Sequence, residues 1–329
     1  MNTDGTVRSI LRRIDGRSYP AYKELRGSFR FPSFLLYCDY IQGDPFASPS
    51  RIRLRAEQSF PPELFATPER KVALEDFLAR RLAAAIPACV RGRRGTGKSG
   101  TIYIDAPGQQ ILERTAVLVN SDFIEARLSV GLPARGRTVL GGQAEQMFFQ
   151  ELPQLAGCLL AAKLDLDAAR AHAQLAEDQE ALRSQLSKHG LVAFLAAGSI
   201  LPRSSGVSDL PLPGAIPLKV PRELEVSLEA PNRGRITGLG IPQGVTLITG
   251  GGYHGKSTLL RALERGIYNH IAGDGREFVL TSPLAVKIRA EDGRRVEKVN
   301  ISPFINNLPF GKSTERFSTE EASGSTSEA

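Results

Sequence analysis

Eight consecutive residues, Gly250-Gly251-Gly252-Tyr253-His254-Gly255-Lys256-Ser257, set a glycine-rich turn directly before a lysine and a hydroxyl. Residue types in that order suit a polyphosphate. Glycines let successive backbone N–H groups turn inward around a phosphate, the lysine reaches the β- and γ-phosphates, and the Ser257 hydroxyl sits on magnesium. The chemistry needs a strand before the turn and a helix after it, because the positive end of that helix must face the same charge. Val245 to Thr249 are β-branched and apolar, which predicts the strand; Lys256 to Leu263 are helix formers, which predicts the helix. Thr258, one residue on, completes the ATP-binding set, in which Tyr253 and His254 read as shape and packing.

A second stretch, Gly92-Arg93-Arg94-Gly95-Thr96-Gly97-Lys98-Ser99, fits the same pattern. Its surroundings differ, since a helix precedes it and a short strand, Thr101 to Asp105, follows, so no helix terminus faces a phosphate. Arg91, Arg93, Arg94 and Lys98 on a glycine scaffold suit contact with a nucleic-acid backbone, or form a solvated basic hairpin. A third stretch, Phe310-Gly311-Lys312-Ser313, fails because Asn306 stands where the first glycine should be.

Charge points the same way without deciding it. The net charge of +7 is concentrated early, with 18 Lys and Arg against 10 Asp and Glu in residues 1–100. Such an excess serves a polyanion or a solvated surface equally well. No stretch approaches a membrane span and the N-terminus lacks a secretory apolar run, so a soluble cytoplasmic protein is expected. Cys38, Cys89 and Cys158 are an odd, scattered set, which argues against a disulfide framework and a cysteine zinc site.

The elements that must carry these groups are legible in outline. Val7 to Ile14 predicts a short helix, and Phe34 to Ile41 and Arg51 to Arg55 predict two strands, the second with an arginine face of Arg51, Arg53 and Arg55. Thr67-Pro68-Glu69 starts a helix running to about Ile86. Strands follow near Ala116 to Val119 and Ile124 to Val130, then helix from Gln143 to Lys163. Asp165 to Lys188 is a further helix with Ala168, Ala171, Leu175, Leu182 and Leu186 near one stripe, bridging two domains. A domain boundary is expected near residue 160.

Residues TLITGGGYHGKSTLL, REFVLTSPLAVKIRAEDGR, VNISPFINNLPFGKST and FSTEEASGSTSEA, together with QGDPFASPSRIR, RGTGKSG and GSILPRSSGVSDLP, closely resemble the predicted ATPases of the ABC class over nearly the whole chain. The resemblance implies an α/β fold class: a P-loop ABC-type ATPase domain at 161–329, incomplete, after a mixed α+β accessory domain at 1–160. It implies ATP and Mg2+ as cofactors and a head-to-tail homodimer. The signature segment falls on Ser323, Gly324, Ser325, Thr326 and Ser327, whose hydroxyls and amides would bind the γ-phosphate across the interface. Glu328 departs from the glutamine of the usual LSGGQ. By position, Asn306 or Asn307 is the candidate polar residue near magnesium.

An ATPase also needs an apolar run ending in Asp, usually followed by Glu. None follows Lys256; Leu284 to Asp292 alternates and reads as a half-exposed strand turning into a hairpin. The resemblance places the missing strand after the signature, so the chain reads as cut short before it, without a catalytic residue of its own. It is expected to bind ATP, turn it over poorly, leave the loop-bearing strand with an unpaired edge, and be poorly soluble. The competing reading is an RNA- or DNA-binding module with a structural or vestigial nucleotide site, contacting nucleic acid through Arg51, Arg53, Arg55, Arg91, Arg93, Arg94 and Lys98. A kinase and a transporter subunit are disfavoured.

Overall fold

Strict alternation through Ser50-Arg51-Ile52-Arg53-Leu54-Arg55-Ala56 turns Ile52, Leu54 and Ala56 into the core and three arginines outward, the period of a half-buried strand. In the computed structural model, which describes residues 2–250, 254–288, 297–305 and 313–318, the Ser50–Glu57 strand lies within a seven-stranded sheet. Its order is Asn2–Thr3, Gly27–Arg30, Leu35–Tyr40, Ser50–Glu57, Phe123–Val130 and Ile102–Tyr103, with Val117–Val119 also on Phe123–Val130. The first pair is parallel and the others antiparallel.

Helices cover the apolar face of this sheet. The first, α1 (Asp4–Ile14), buries Val7, Ile10, Leu11 and Ile14. The second, α2 (Pro68–Cys89), begins where its cap demands, for the Thr67 hydroxyl accepts the Arg70 N–H at 3.3 Å. It continues through Pro87 to Cys89, a turn beyond the expected end. Two short helices, α3 (Gly141–Gln146) and α4 (Leu152–Gly157), are joined by a wide π-turn over Met147–Glu151.

The next helix, α5 (Leu166–Gln185), is capped by Asp165, which accepts the Ala168 N–H at 3.0 Å. The apolar stripe differs from the sequence expectation, as Ala168 and Ala171 are exposed. Two separate cores claim the helix instead. Ala169, Ala173 and Ala176 pack into the core of the first sheet, whereas Leu175, Leu182 and Leu186 pack into that of a second. A helix buried on two sides has no single stripe.

The second sheet is antiparallel, in the order Glu225–Ala230, Gly234–Pro242, Leu191–Ala196, Val279–Thr281. Its central pair runs close: a Cβ on Gly238 would lie 2.3 Å from the Leu195 carbonyl oxygen. The last helix, α6 (Lys256–Arg265), buries Ala262 against Leu195, Leu201 and Val279. The strand expected at Val245 to Thr249 is not formed. Val245 is 103% and Leu247 83% exposed, and neither has a ladder partner among the described residues.

By contact the chain divides into two compact units, Met1–Ser282 and Pro283–Ala329. In the second, Ile301 and Phe317 are buried with Ile305 against them, and Val299 and Phe317 exchange backbone hydrogen bonds of 3.0 and 2.9 Å. The half-exposed strand expected from Leu284 is not formed over 284–288, where Leu284, Val286 and Ile288 are exposed; its remainder lies outside the described residues.

Candidate functional site

Gly250 and Gly255 bracket the glycine-rich turn with φ of +151° and +83°, the region where a side chain is strained. Gly251, Gly252 and Tyr253 lie outside the described residues. Gly255 is the N-cap of α6 and offers no capping side chain. The first turn, Lys256-Ser257-Thr258-Leu259, contains a cation and no carboxylate. This is the reverse of what stabilises a helix start, where a capping oxygen or an acid offsets the dipole. By contrast α2 and α5 have Thr67 and Asp165 in that place. The Lys256 ammonium folds back to donate to the Gly250 carbonyl at 2.6 Å.

A cleft of about 610 Å3 opens beside this helix start. Leu201, Pro202, Ile216, Pro217 and Leu239 form an apolar wall, and Lys219, Thr249, His254, Lys256 and Thr258 line it with polar groups. That size and that mixture suit a small organic ligand with a charged end. Ser257 is exposed, one residue into the helix.

The far end of α6 is fastened by buried polar groups that sequence reasoning missed. The Thr281 hydroxyl donates to the Leu263 carbonyl at 2.8 Å, and Arg183 of α5 donates to the Gly266 carbonyl at 3.3 Å. His270, 1% exposed, has Nε2 3.2 Å from the Arg265 carbonyl oxygen and Nδ1 2.9 Å from Asp274 Oδ2. Its backbone N–H donates to Gln179 Oε1 at 2.6 Å, and its carbonyl accepts Gln179 Nε2 at 2.8 Å. Arg203 completes the cluster, 2.7 Å from Asp274. Burial opposes the Asp274 charge, but His270 and Arg203 outweigh it and hold the carboxyl below its ordinary range. Nearby, burial foremost and then Arg203 lower Arg276 to about 10. These residues span 179–281 with no fixed spacing, so no local pattern reveals them.

The two basic candidates part company. Arg53 stands opposite Arg127 in register, a pairing that would repel. Glu125, 1% exposed, relieves it by taking Arg53 at 2.9 Å, Arg55 at 2.7 Å and Arg127 at 3.3 Å, while Asp39 takes Arg53 at 2.6 Å. Burial works against the Glu125 charge, yet Arg55 and Arg53 hold its pKa down; the Arg53 hydrogen bond chiefly does the same for Asp39. Arg55 also lies 3.8 Å over the Phe123 ring and Arg51 5.4 Å over Tyr40. Arg53 and Arg55 are thus occupied within the protein.

The loop at 91–100 is held by backbone hydrogen bonds to the protein's own carbonyls. Its backbone donors are spent internally: Arg94 N–H on Ser99 O at 2.9 Å, Thr96 N–H on Ala134 O at 2.8 Å, Lys98 N–H on Pro45 O at 2.9 Å and Gly100 N–H on Gly131 O at 2.7 Å. Arg94 itself is buried and forked onto Glu151. Arg91, Arg93 and Lys98 are exposed. Asn306, Asn307 and the segment Ser323, Gly324, Ser325, Thr326, Ser327 lie outside the described residues.

Residues 165–329 match the P-loop domain of the ABC ATPase family, and residues 5–162 match the N-terminal domain described for ATPases of the ABC class. An uncharacterized protein of Methanocaldococcus jannaschii is 34% identical over 146 residues, 41% of this chain and 32% of the relative, so the match spans about a third of that relative's length. No described helix is long and apolar enough to cross a membrane. With its two matched domains in that order, and its uncapped, carboxylate-free α6 behind a glycine turn, the chain belongs to the ATPases of the ABC class.

Proposed function

We propose that this chain binds ATP with Mg2+ through the turn at 250–255 and the start of α6. The observation that supports this most is the helix start itself: a first turn with Lys256 and no capping oxygen or acid is unfavourable alone and favourable once an anion sits on it. The residues present fit the nucleotide. Lys256 and the amides of the turn take the β- and γ-phosphates, the Ser257 hydroxyl takes magnesium, and the cleft with Ile216 and Pro217 takes the rest of the molecule. When bound, magnesium would neutralise charge on the phosphate oxygens.

In this reading residues 161–329 are the ATPase domain, 1–160 the accessory domain, and two chains pair head to tail. Ser323 to Ser327 of one copy would then face the γ-phosphate held by the other, with Asn306 near magnesium. The sequence of Leu284 to Asp292 interleaves charged with apolar residues, so this stretch does not supply the apolar run and catalytic carboxylate that fast turnover needs. A cytoplasmic location fits a nucleotide-driven protein with scattered free thiols. Calorimetry with Mg-ATP is the test: binding that Lys256→Ala weakens about tenfold or more supports the site, and unchanged affinity in the variant refutes it.

One observation favours an accompanying nucleic-acid role, for RNA or DNA. The rigid 91–100 loop leaves Arg91, Arg93 and Lys98 at the surface, where phosphate neutralisation supplies affinity. Arg53 and Arg55, engaged by Glu125, contribute less. A labelled oligonucleotide that shows no shift at low salt, with or without ATP, removes this role.

A further inference from the structure

Arg91, Arg93, Arg94 and Arg135 line one cleft of about 320 Å3, together with Thr96 and Gln143. Four guanidinium groups around so small a space repel one another unless something negative lies between them. None of the described lining residues is acidic. Glu151 neutralises Arg94 only, by accepting both of its terminal nitrogens, and it also accepts the Arg91 backbone N–H at 3.0 Å. Three positive charges remain.

A second observation comes from inside the cleft wall. Arg94 is 7% exposed, its side chain 3%, and its Nε–H has no hydrogen-bond partner. A buried guanidinium donor left unmet costs about 1–3 kcal/mol. The backbone that carries this arginine is closely packed on both sides. A Cβ on Gly95 would lie 1.9 Å from the Ala134 carbonyl oxygen, and one on Gly100 would lie 2.2 Å from the Gly92 carbonyl oxygen, so the loop has one path. The Thr96 hydroxyl accepts the Gly136 N–H at 2.8 Å, which ties the arm bearing Arg135 to the arm bearing Arg93.

We propose that this cleft is a binding site for a phosphate monoester, the terminal phosphate of a nucleotide. A monoester is close to a dianion at neutral pH, whereas an internal phosphodiester has a single charge. Three uncompensated arginines in a pocket match the former; an internal phosphate on a strand would use a groove and fewer cations. Guanidinium groups bind the tetrahedral oxygens two at a time, which fits arginines rather than lysines at every charged lining position. The site stands apart from the ATP site at Lys256 and does not depend on it.

The test uses the full chain carrying Lys256→Ala, so that the proposed ATP site does not take the probe. Thymidine 5′-monophosphate, inorganic phosphate, and a thymidine tetranucleotide with and without a 5′-phosphate are titrated by calorimetry at low salt. The 5′-phosphorylated tetranucleotide is expected to bind about tenfold tighter than its 5′-hydroxyl form, and Arg93→Ala and Arg135→Ala should each erase that difference. Both arginines are exposed, so the melting temperature reports an intact fold; Arg93→Gln serves if the alanine variant is unstable. Equal affinity for the two tetranucleotides without tight binding of the mononucleotide, or binding untouched by both variants, overturns the proposal. Tight binding of the mononucleotide alone identifies a free nucleotide as the source, and a further gain with the tetranucleotide identifies a strand end.

Discussion

The Lys256 ammonium donates to the Gly250 carbonyl at 2.6 Å, tying the first residue of α6 back to the first glycine of the turn. The cation proposed for the phosphates is therefore already held at Gly250, beside the cleft that opens at α6. Binding then requires little ordering of a long side chain, which would otherwise subtract from affinity.

Replacing Lys256 with alanine should weaken Mg-ATP binding by about 10- to 100-fold, the loss of a charge-assisted contact of roughly 1.5–3 kcal/mol. The side chain is half-buried and belongs to no apolar cluster, so the unfolding midpoint should stay unchanged. An unchanged dissociation constant would sink the site.

Glu125→Gln should destabilise the protein by about 3 kcal/mol. The carboxylate is 1% exposed and serves Arg53, Arg55 and Arg127, whose guanidiniums would face one another without it. Urea denaturation measures this, and a loss below about 1 kcal/mol would show that solvent compensates the three cations.

Acid should loosen the region behind α6. The Asp274 carboxyl is lowered from its ordinary 3.8, burial opposing and His270 with Arg203 prevailing. A lowered carboxyl stabilises the fold above its unfolded value and surrenders that as pH falls through the folded value, so the loss begins below about pH 4 and deepens with further acid. Asp274→Asn should be less stable near neutrality and show a flatter decline below pH 4. A decline as steep as that of the parent would mean that other carboxylates govern it.

Gly95→Ala should cost about 2 kcal/mol or more, through the collision with Ala134 and the φ of +124°. Lys98→Ala, at an exposed side chain of the same loop, should change stability by less than about 0.5 kcal/mol. Thermal melting of the pair separates a rigid loop from a loose one, since a loose loop would absorb both changes alike.

Periodicity and capping chemistry made much of the framework legible. Thr67-Pro68 and Asp165 each begin a helix, and the alternation in Ser50–Glu57 gives a half-buried strand, because these are local effects of neighbours within four residues. The stripe of α5 was misread because two cores bury it, and which faces are buried depends on elements far along the chain. Val245 to Thr249 had the composition of a strand yet found no ladder, since β-propensity describes a fit to a sheet rather than a backbone preference.

The two phosphate-type patterns give the clearest division. By itself the sequence determined that the stretch at 250–257 leads into a helix and the stretch at 92–99 does not, and so which could set a helix terminus against a phosphate. Only the tertiary structure decided what the second stretch does: it spends its amides on Pro45, Ala134 and Gly131 and brings Arg135 beside Arg91 and Arg93. It likewise decided that Arg53 and Arg55 are neutralised by Glu125, a residue about seventy positions away. Charge on a side chain is a property of its type, but whether that charge is available depends on what long-range pairing places beside it.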